Sequence, residues 1–119
     1  MWVSNSRIVG GLLGQWAVWT RGAVELLARV KRVRAGDAPP DETERLLRIG
    51  AALTDANAAI FDARHRFAGC IPGSHEVLRR DGLLDGIWCL DPEEVPSPGQ
   101  MEEIDRVWRE YPFLRDSGA

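Results

Sequence analysis

Three residues near the middle of the chain have side chains that bind metals or move protons: His65, Cys70 and His75. Zinc is held by sets of Cys and His at short, paired spacings, most often as four ligands. The five-residue steps here fit none of those sets, and no fourth ligand is evident. The expectation is two partly exposed histidines and a buried thiol. A thiol nucleophile needs an imidazole that is itself oriented by a third group. Cys70 has His65 and His75 nearby, and Cys89 lies further on, but no neighbour in sequence orients either ring. Glu93–Glu94 and Glu102–Glu103 are adjacent pairs, so their carboxylates diverge and do not suit paired acid–base work. Lys31 is the only lysine. A Schiff-base lysine needs a desolvated pocket, whereas Lys31 sits among Arg29, Arg32 and Arg34. The residues themselves therefore assign no catalytic, cofactor-binding or metal-binding position.

The elements that would carry these residues are mostly helical. From Asp41 to Phe67, apolar residues recur at alternating steps of three and four: Leu46, Ile49, Leu53, Ala56, Ile60, Ala63 and Phe67. That is the stripe of one long amphipathic helix. Asp41 with Glu44 is a fair start, and Gly69 with Pro72 a fair stop. Such a stripe needs a partner surface. One candidate is the preceding helix, capped by Thr20, carrying Ala23, Leu26, Leu27, Val30 and Val33, and ending at Gly36. The polar turn from Asp37 to Pro40 makes the two an antiparallel pair. A short third helix starts at Pro72 or Ser74 and closes at Gly82. Leu83 to Val95 reads as an irregular apolar loop lying buried across a surface. Ser97-Pro98-Gly99-Gln100 is a strong helix start, and Met101, Ile104, Val107, Trp108 and Tyr111 give the last helix its apolar face up to Pro112. Asp116 to Ala119 should fray. At the other end, Ile8 to Gly14 reads as a short buried strand running into a glycine-rich loop, without a phosphate-binding fingerprint.

Composition sets the outer bounds. The chain has 119 residues and 45% hydrophobic content, which suits one modest globular domain. A net charge of −3 gives no reason to expect nucleic acid. The basic run from Arg29 to Arg34 complements the dipole at the end of its helix. No apolar run reaches membrane-spanning length. Two cysteines do not make a disulfide framework and read as free thiols, so a cytoplasmic location is expected.

Several stretches together carry a resemblance. They are Thr54-Asp55-Ala56-Asn57-Ala58-Ala59-Ile60-Phe61-Asp62; Phe67-Ala68-Gly69-Cys70-Ile71-Pro72-Gly73-Ser74-His75-Glu76-Val77-Leu78-Arg79-Arg80; Gly82-Leu83-Leu84-Asp85-Gly86-Ile87-Trp88-Cys89-Leu90-Asp91-Pro92; and Pro96-Ser97-Pro98-Gly99-Gln100. From about Ile8 onward the chain resembles the C-terminal end of the dihydrodipicolinate synthase/N-acetylneuraminate lyase family. The family's arginine–leucine–proline turn before the last helix is replaced here by Ile87-Trp88-Cys89-Leu90-Asp91-Pro92.

The resemblance implies a mainly α fold: about four helices, one of them long, forming the extension of a (β/α)8 barrel, with at most one remnant strand. Residues 1–36 would be the last strand and helix of the barrel, and residues 37–119 the extension. Family members form a Schiff base between a barrel lysine and pyruvate or another 2-keto acid, helped by a tyrosine. They catalyse aldol cleavage, condensation or dehydration, usually as homotetramers. A barrel needs roughly 250 residues, and no residue here matches those catalytic motifs, so no catalytic residue carries over. The expectation is a non-catalytic C-terminal piece of a Schiff-base lyase. The alternative is a helical homo-oligomerisation module held by Trp16, Trp19, Trp88 and Trp108. Exposure of the apolar N-terminal segment is expected to make the chain self-associate.

Overall fold

The computed structural model describes residues 8–116. The chain is mainly α-helical: α1 Gln15–Val18, α2 Thr20–Arg34, α3 Glu42–Ile60, α4 Cys70–Arg80 and α5 Gln100–Glu110, with single 3-10 turns at Ala63–His65 and Pro112–Leu114. The long helix α3 is the spine. α5, α4 and α2 all pack against it, and α1 bridges α2 and α4. The core runs along this seam. Trp19, Ala56, Ile60, Val77, Ile104 and Val107 are all essentially shut off from solvent. Trp19 and Trp108 meet inside it with ring centroids 6.4 Å apart, in a tilted arrangement favoured by the ring quadrupoles.

Ile8 to Gly14 is not a strand, and no strand occurs among the described residues. Ile8, Val9, Leu12 and Leu13 stand exposed. A lone extended segment has no neighbour to satisfy its backbone, so β-propensity there has nothing to act on.

The long helix ends at Ile60, not Phe67. Asp62, Arg66 and Phe67 all adopt left-handed backbone, which an α-helix does not accommodate. Ala63 and Phe67 therefore leave the stripe, and Phe67 is exposed. α4 begins at Cys70, two residues before Pro72, so the proline occupies the first turn, where it is tolerated.

Leu83 to Val95 is irregular, as read, but not buried. Leu83, Trp88, Leu90 and Val95 all face solvent. Finally, neither hydroxyl caps its helix. Thr20 Oγ1 donates back to the Trp16 carbonyl, and Ser97 Oγ donates to Asp62. The residue before α5 is Gly99, with φ 81°, a conformation open chiefly to glycine. Of the tail expected to fray, Asp116 is anchored, its Oδ1 accepting from the Gly22 N–H at 2.8 Å. Residues 117–119 lie outside the described part, as does the start of the N-terminal segment.

The overall shape is a slab, 48 × 40 × 21 Å. Its radius of gyration, 16.2 Å, exceeds the roughly 13.5 Å of a compact chain of this length. Its accessible surface, 8421 Å², exceeds the roughly 6,400 Å² expected for 13.2 kDa.

The α3–α4 crossing rests on one glycine. A Cβ on Gly73 would sit 1.9 Å from the Ile60 carbonyl oxygen and 2.6 Å from Gln100 Nε2. Gly73→Ala should therefore cost about 3 kcal/mol in urea unfolding. Gly50, inside α3 with nothing within 4 Å of a new Cβ, should gain about 0.5–1 kcal/mol from the same change.

Candidate functional site

The richest cluster of polar groups gathers where α3 ends and α5 begins. Asp62 enters it because its left-handed backbone turns the chain sharply after Phe61. Aspartate tolerates that conformation better than most residues. Its carboxylate is buried and fully used. Oδ2 accepts from the Gly69 N–H at 2.9 Å and from the Ser97 hydroxyl. Oδ1 lies 2.7 Å from His65 Nδ1. Burial pushes the carboxyl pKa up, but hydrogen bonds from Ser97, His65 and Gly69 outweigh it and hold Asp62 below the usual range.

Gln100 completes the knot from the other side. Its Nε2 donates to the Gly69 carbonyl at 2.9 Å and the Ile60 carbonyl at 3.3 Å, and its Oε1 accepts from the Ser97 N–H at 3.0 Å. The end of α3, the start of α4 and the start of α5 are tied through two side chains.

A cleft of about 90 Å³ opens beside this knot, lined in part by His65, Arg64, Asp55, Glu103 and Arg106. Arg106 grips Asp55 with two parallel bonds of 2.8 Å, the bidentate form favoured by a planar guanidinium. It also donates to Glu103 at 2.7 Å and to Glu110 at 3.0 Å. Tyr111 Oη donates to Asp55 at 2.6 Å. These bonds from Arg106 and Tyr111 pull the Asp55 carboxyl down to about 2. Arg106 is raised in turn, chiefly by Asp55 and then Glu103.

A second ion network ties α4 to α5. Glu76, only 1% exposed, receives two bonds from Arg79 and one from Arg80. Arg80 also reaches Asp105 and lies 5.4 Å above the Trp108 ring. Arg115 covers the same ring at 4.6 Å.

The residues singled out by sequence do not assemble into a reactive site. His65 pairs with Asp62, while His75 faces Cys89, with Nδ1 to Sγ at 3.8 Å. No cluster of three or more metal-binding side chains occurs among the described residues. Burial and then the charge of Glu94 push the Cys70 thiol up. Burial, Glu94 and Asp91 do the same to Cys89. Both therefore favour the thiol over the reactive thiolate at neutral pH. Glu103 is engaged by Arg106, and Glu102 is exposed. Lys31 lies exposed on α2, outside any apolar pocket.

Asp62–His65 does have the form of an oriented imidazole, because a carboxylate on Nδ1 leaves Nε2 free. The Ser97 hydroxyl, however, donates to Asp62 and not to the ring. The nucleophile–base contact of a triad is therefore missing. Sequence reading did not single out Asp62, whose only signal is an aspartate at the end of the apolar stripe with histidine three residues on. No family model, curated protein or solved structure matches this chain.

Asp62→Ala leaves the Gly69 N–H and Ser97 hydroxyl without their acceptor and should cost about 2–4 kcal/mol in urea unfolding. For Asp55, the folded pKa lies below the ordinary 3.8. Its stabilising contribution is complete above that value and lost as pH falls toward about 2. The stability gap between wild type and Asp55→Asn should thus shrink on acidification from about pH 5 to about pH 2, measured by urea titration at each pH.

Proposed function

We propose that this chain is the C-terminal helical part of a Schiff-base lyase resembling the dihydrodipicolinate synthase/N-acetylneuraminate lyase family. In this reading residues 1–36 complete a barrel and residues 37–119 form its extension. The chain supplies packing surface, and the amine that reacts with pyruvate or another 2-keto acid belongs to other polypeptide. Full-length members would then carry out aldol cleavage, condensation or dehydration.

The observation that carries this reading is the unspent apolar surface at the N-terminal side. Ile8 and Leu12 are 82% and 92% exposed. The accessible surface of 8421 Å² exceeds that of a compact chain of this mass. The side-chain networks agree with a supporting role, since the best-organised polar groups are engaged with one another. Lys31 stands exposed on α2 and does not sit in the kind of desolvated pocket a Schiff-base amine needs.

Reductive trapping tests the reading. Incubation with pyruvate and borohydride should add no mass to this chain, and labelling at Lys31 would overturn the proposal. The coding DNA immediately upstream should encode barrel strands that include a strand lysine, in frame or shifted. Unrelated sequence there would count equally against it.

A further inference from the structure

Three features of the turn after α3 converge on one ring nitrogen. The first is strain. Asp62, Arg66 and Phe67 hold φ of 59°, 55° and 67° within six residues. That conformation is costly for side chains with a Cβ, and most so for a bulky one. Such strain collects where a chain holds a functional group in place. Here it carries His65, at the end of the 3-10 turn, to the wall of the cleft beside α5. The second feature is the buried Asp62 carboxylate, 2.7 Å from Nδ1. Asp62 is itself held by the Gly69 N–H and the Ser97 hydroxyl. A carboxylate so fixed keeps the ring proton on Nδ1 and the lone pair on Nε2. The third is that Nε2 makes no hydrogen bond among the described residues and is reached by solvent.

Charge and size then select what the cleft takes. Its lining holds three carboxylates, Asp55, Asp62 and Glu103, and two guanidinium groups, Arg64 and Arg106. Asp55 and Glu103 are both bound to Arg106. An anion would meet surplus negative charge, so the cleft favours an uncharged molecule. Arg64 takes part in none of the ion pairs among the described residues. It precedes His65 and lines the same cleft, so an uncommitted positive charge borders the space. The volume of about 90 Å³ is roughly three times the share of one liquid water. That is room for a water and a two-carbon acyl group.

We propose that His65 is a general base for the hydrolysis of small, uncharged esters in this cleft, with Asp62 as its positioning residue. Nε2 takes a proton from a water as the water oxygen bonds to the ester carbonyl carbon. The carbonyl electron pair moves to its oxygen, where the Arg64 charge stabilises it. Collapse breaks the bond to the alcohol oxygen, which receives the proton back from the imidazolium. Ester and water become acid and alcohol, and His65 ends as it began. No side-chain nucleophile is required, so the missing contact between Ser97 and the ring is no obstacle. This activity does not depend on the barrel reading.

Release of p-nitrophenol from p-nitrophenyl acetate by the whole chain tests this. Wild type should act about 100-fold faster than free imidazole at equal concentration and pH. The rate should fall in D2O, because a proton leaves water as the ester is attacked. His65→Gln should drop to the level of free imidazole. His75→Gln should match wild type, since His75 contacts Cys89 and lines no part of the cleft. Asp62→Asn keeps an oxygen for Gly69 and Ser97 but turns its amide N–H toward Nδ1. The ring proton then moves to Nε2, so kcat should fall about 100-fold while KM stays within about 2-fold. Circular dichroism checks the fold of each variant, and the two histidine variants decide the matter if Asp62→Asn does not fold. A wild-type rate no greater than that of free imidazole would sink the proposal. So would full activity in His65→Gln, an equal loss in His75→Gln, an unchanged rate in D2O, or a folded Asp62→Asn with wild-type kcat.

Discussion

Everything in this fold depends on how α3 is stopped. An amphipathic stripe long enough to continue to Phe67 is cut at Ile60 by Asp62 in the left-handed conformation. That backbone state costs energy for a residue with a Cβ. The compensation is local: Asp62 accepts from Gly69 and Ser97 and holds His65. Gln100 donates to the open carbonyl of Ile60 and shares the Gly69 carbonyl with the Gly73 N–H. A helix end buried without partners would be costly. Here a side chain from forty residues later supplies the donor. The turn, the start of α4 and the start of α5 are thereby one unit, and Gly73 lets α4 approach closely enough for that unit to close.

Charge is arranged to the same end. Glu76 and Asp55 sit at the joins between helices, each met by guanidinium groups in good geometry. Arg80 and Arg106 each bind carboxylates from two elements, so they link helices as well as stabilise one. Such pairs give little net energy where water reaches them. Their geometric demand is stricter, because a bidentate bond from Arg106 to Asp55 fixes the rotation of α5 about its axis relative to α3.

The helices were legible in the sequence because periodicity reports a face directly. The stripe Leu46, Ile49, Leu53, Ala56, Ile60 marks the buried side of α3, and Ile104 and Val107 mark that of α5. What failed was everything decided by distant partners. Phe67 continues the helical rhythm perfectly, and only the Asp62 knot removes it. Ser97 has the look of a cap, yet its hydroxyl is claimed by an aspartate thirty-five residues earlier. Ile8 to Gly14 and Leu83 to Val95 are apolar enough to read as buried, but burial needs a surface to bury against, and composition cannot supply one. The polar cluster was hidden for the same reason: Asp62, Gln100 and Arg106 are ordinary residues until three helices converge on them.

The 21 Å thickness of the slab is about two helix diameters. The seam holding Trp19 and Ile60 thus has a single layer of helices on either side and no deeper shelter. If α4 or α5 lifts, water reaches the middle of the protein in one step. Backbone amides of α3 facing the seam are accordingly guarded by neighbouring helices staying in place together, not by depth.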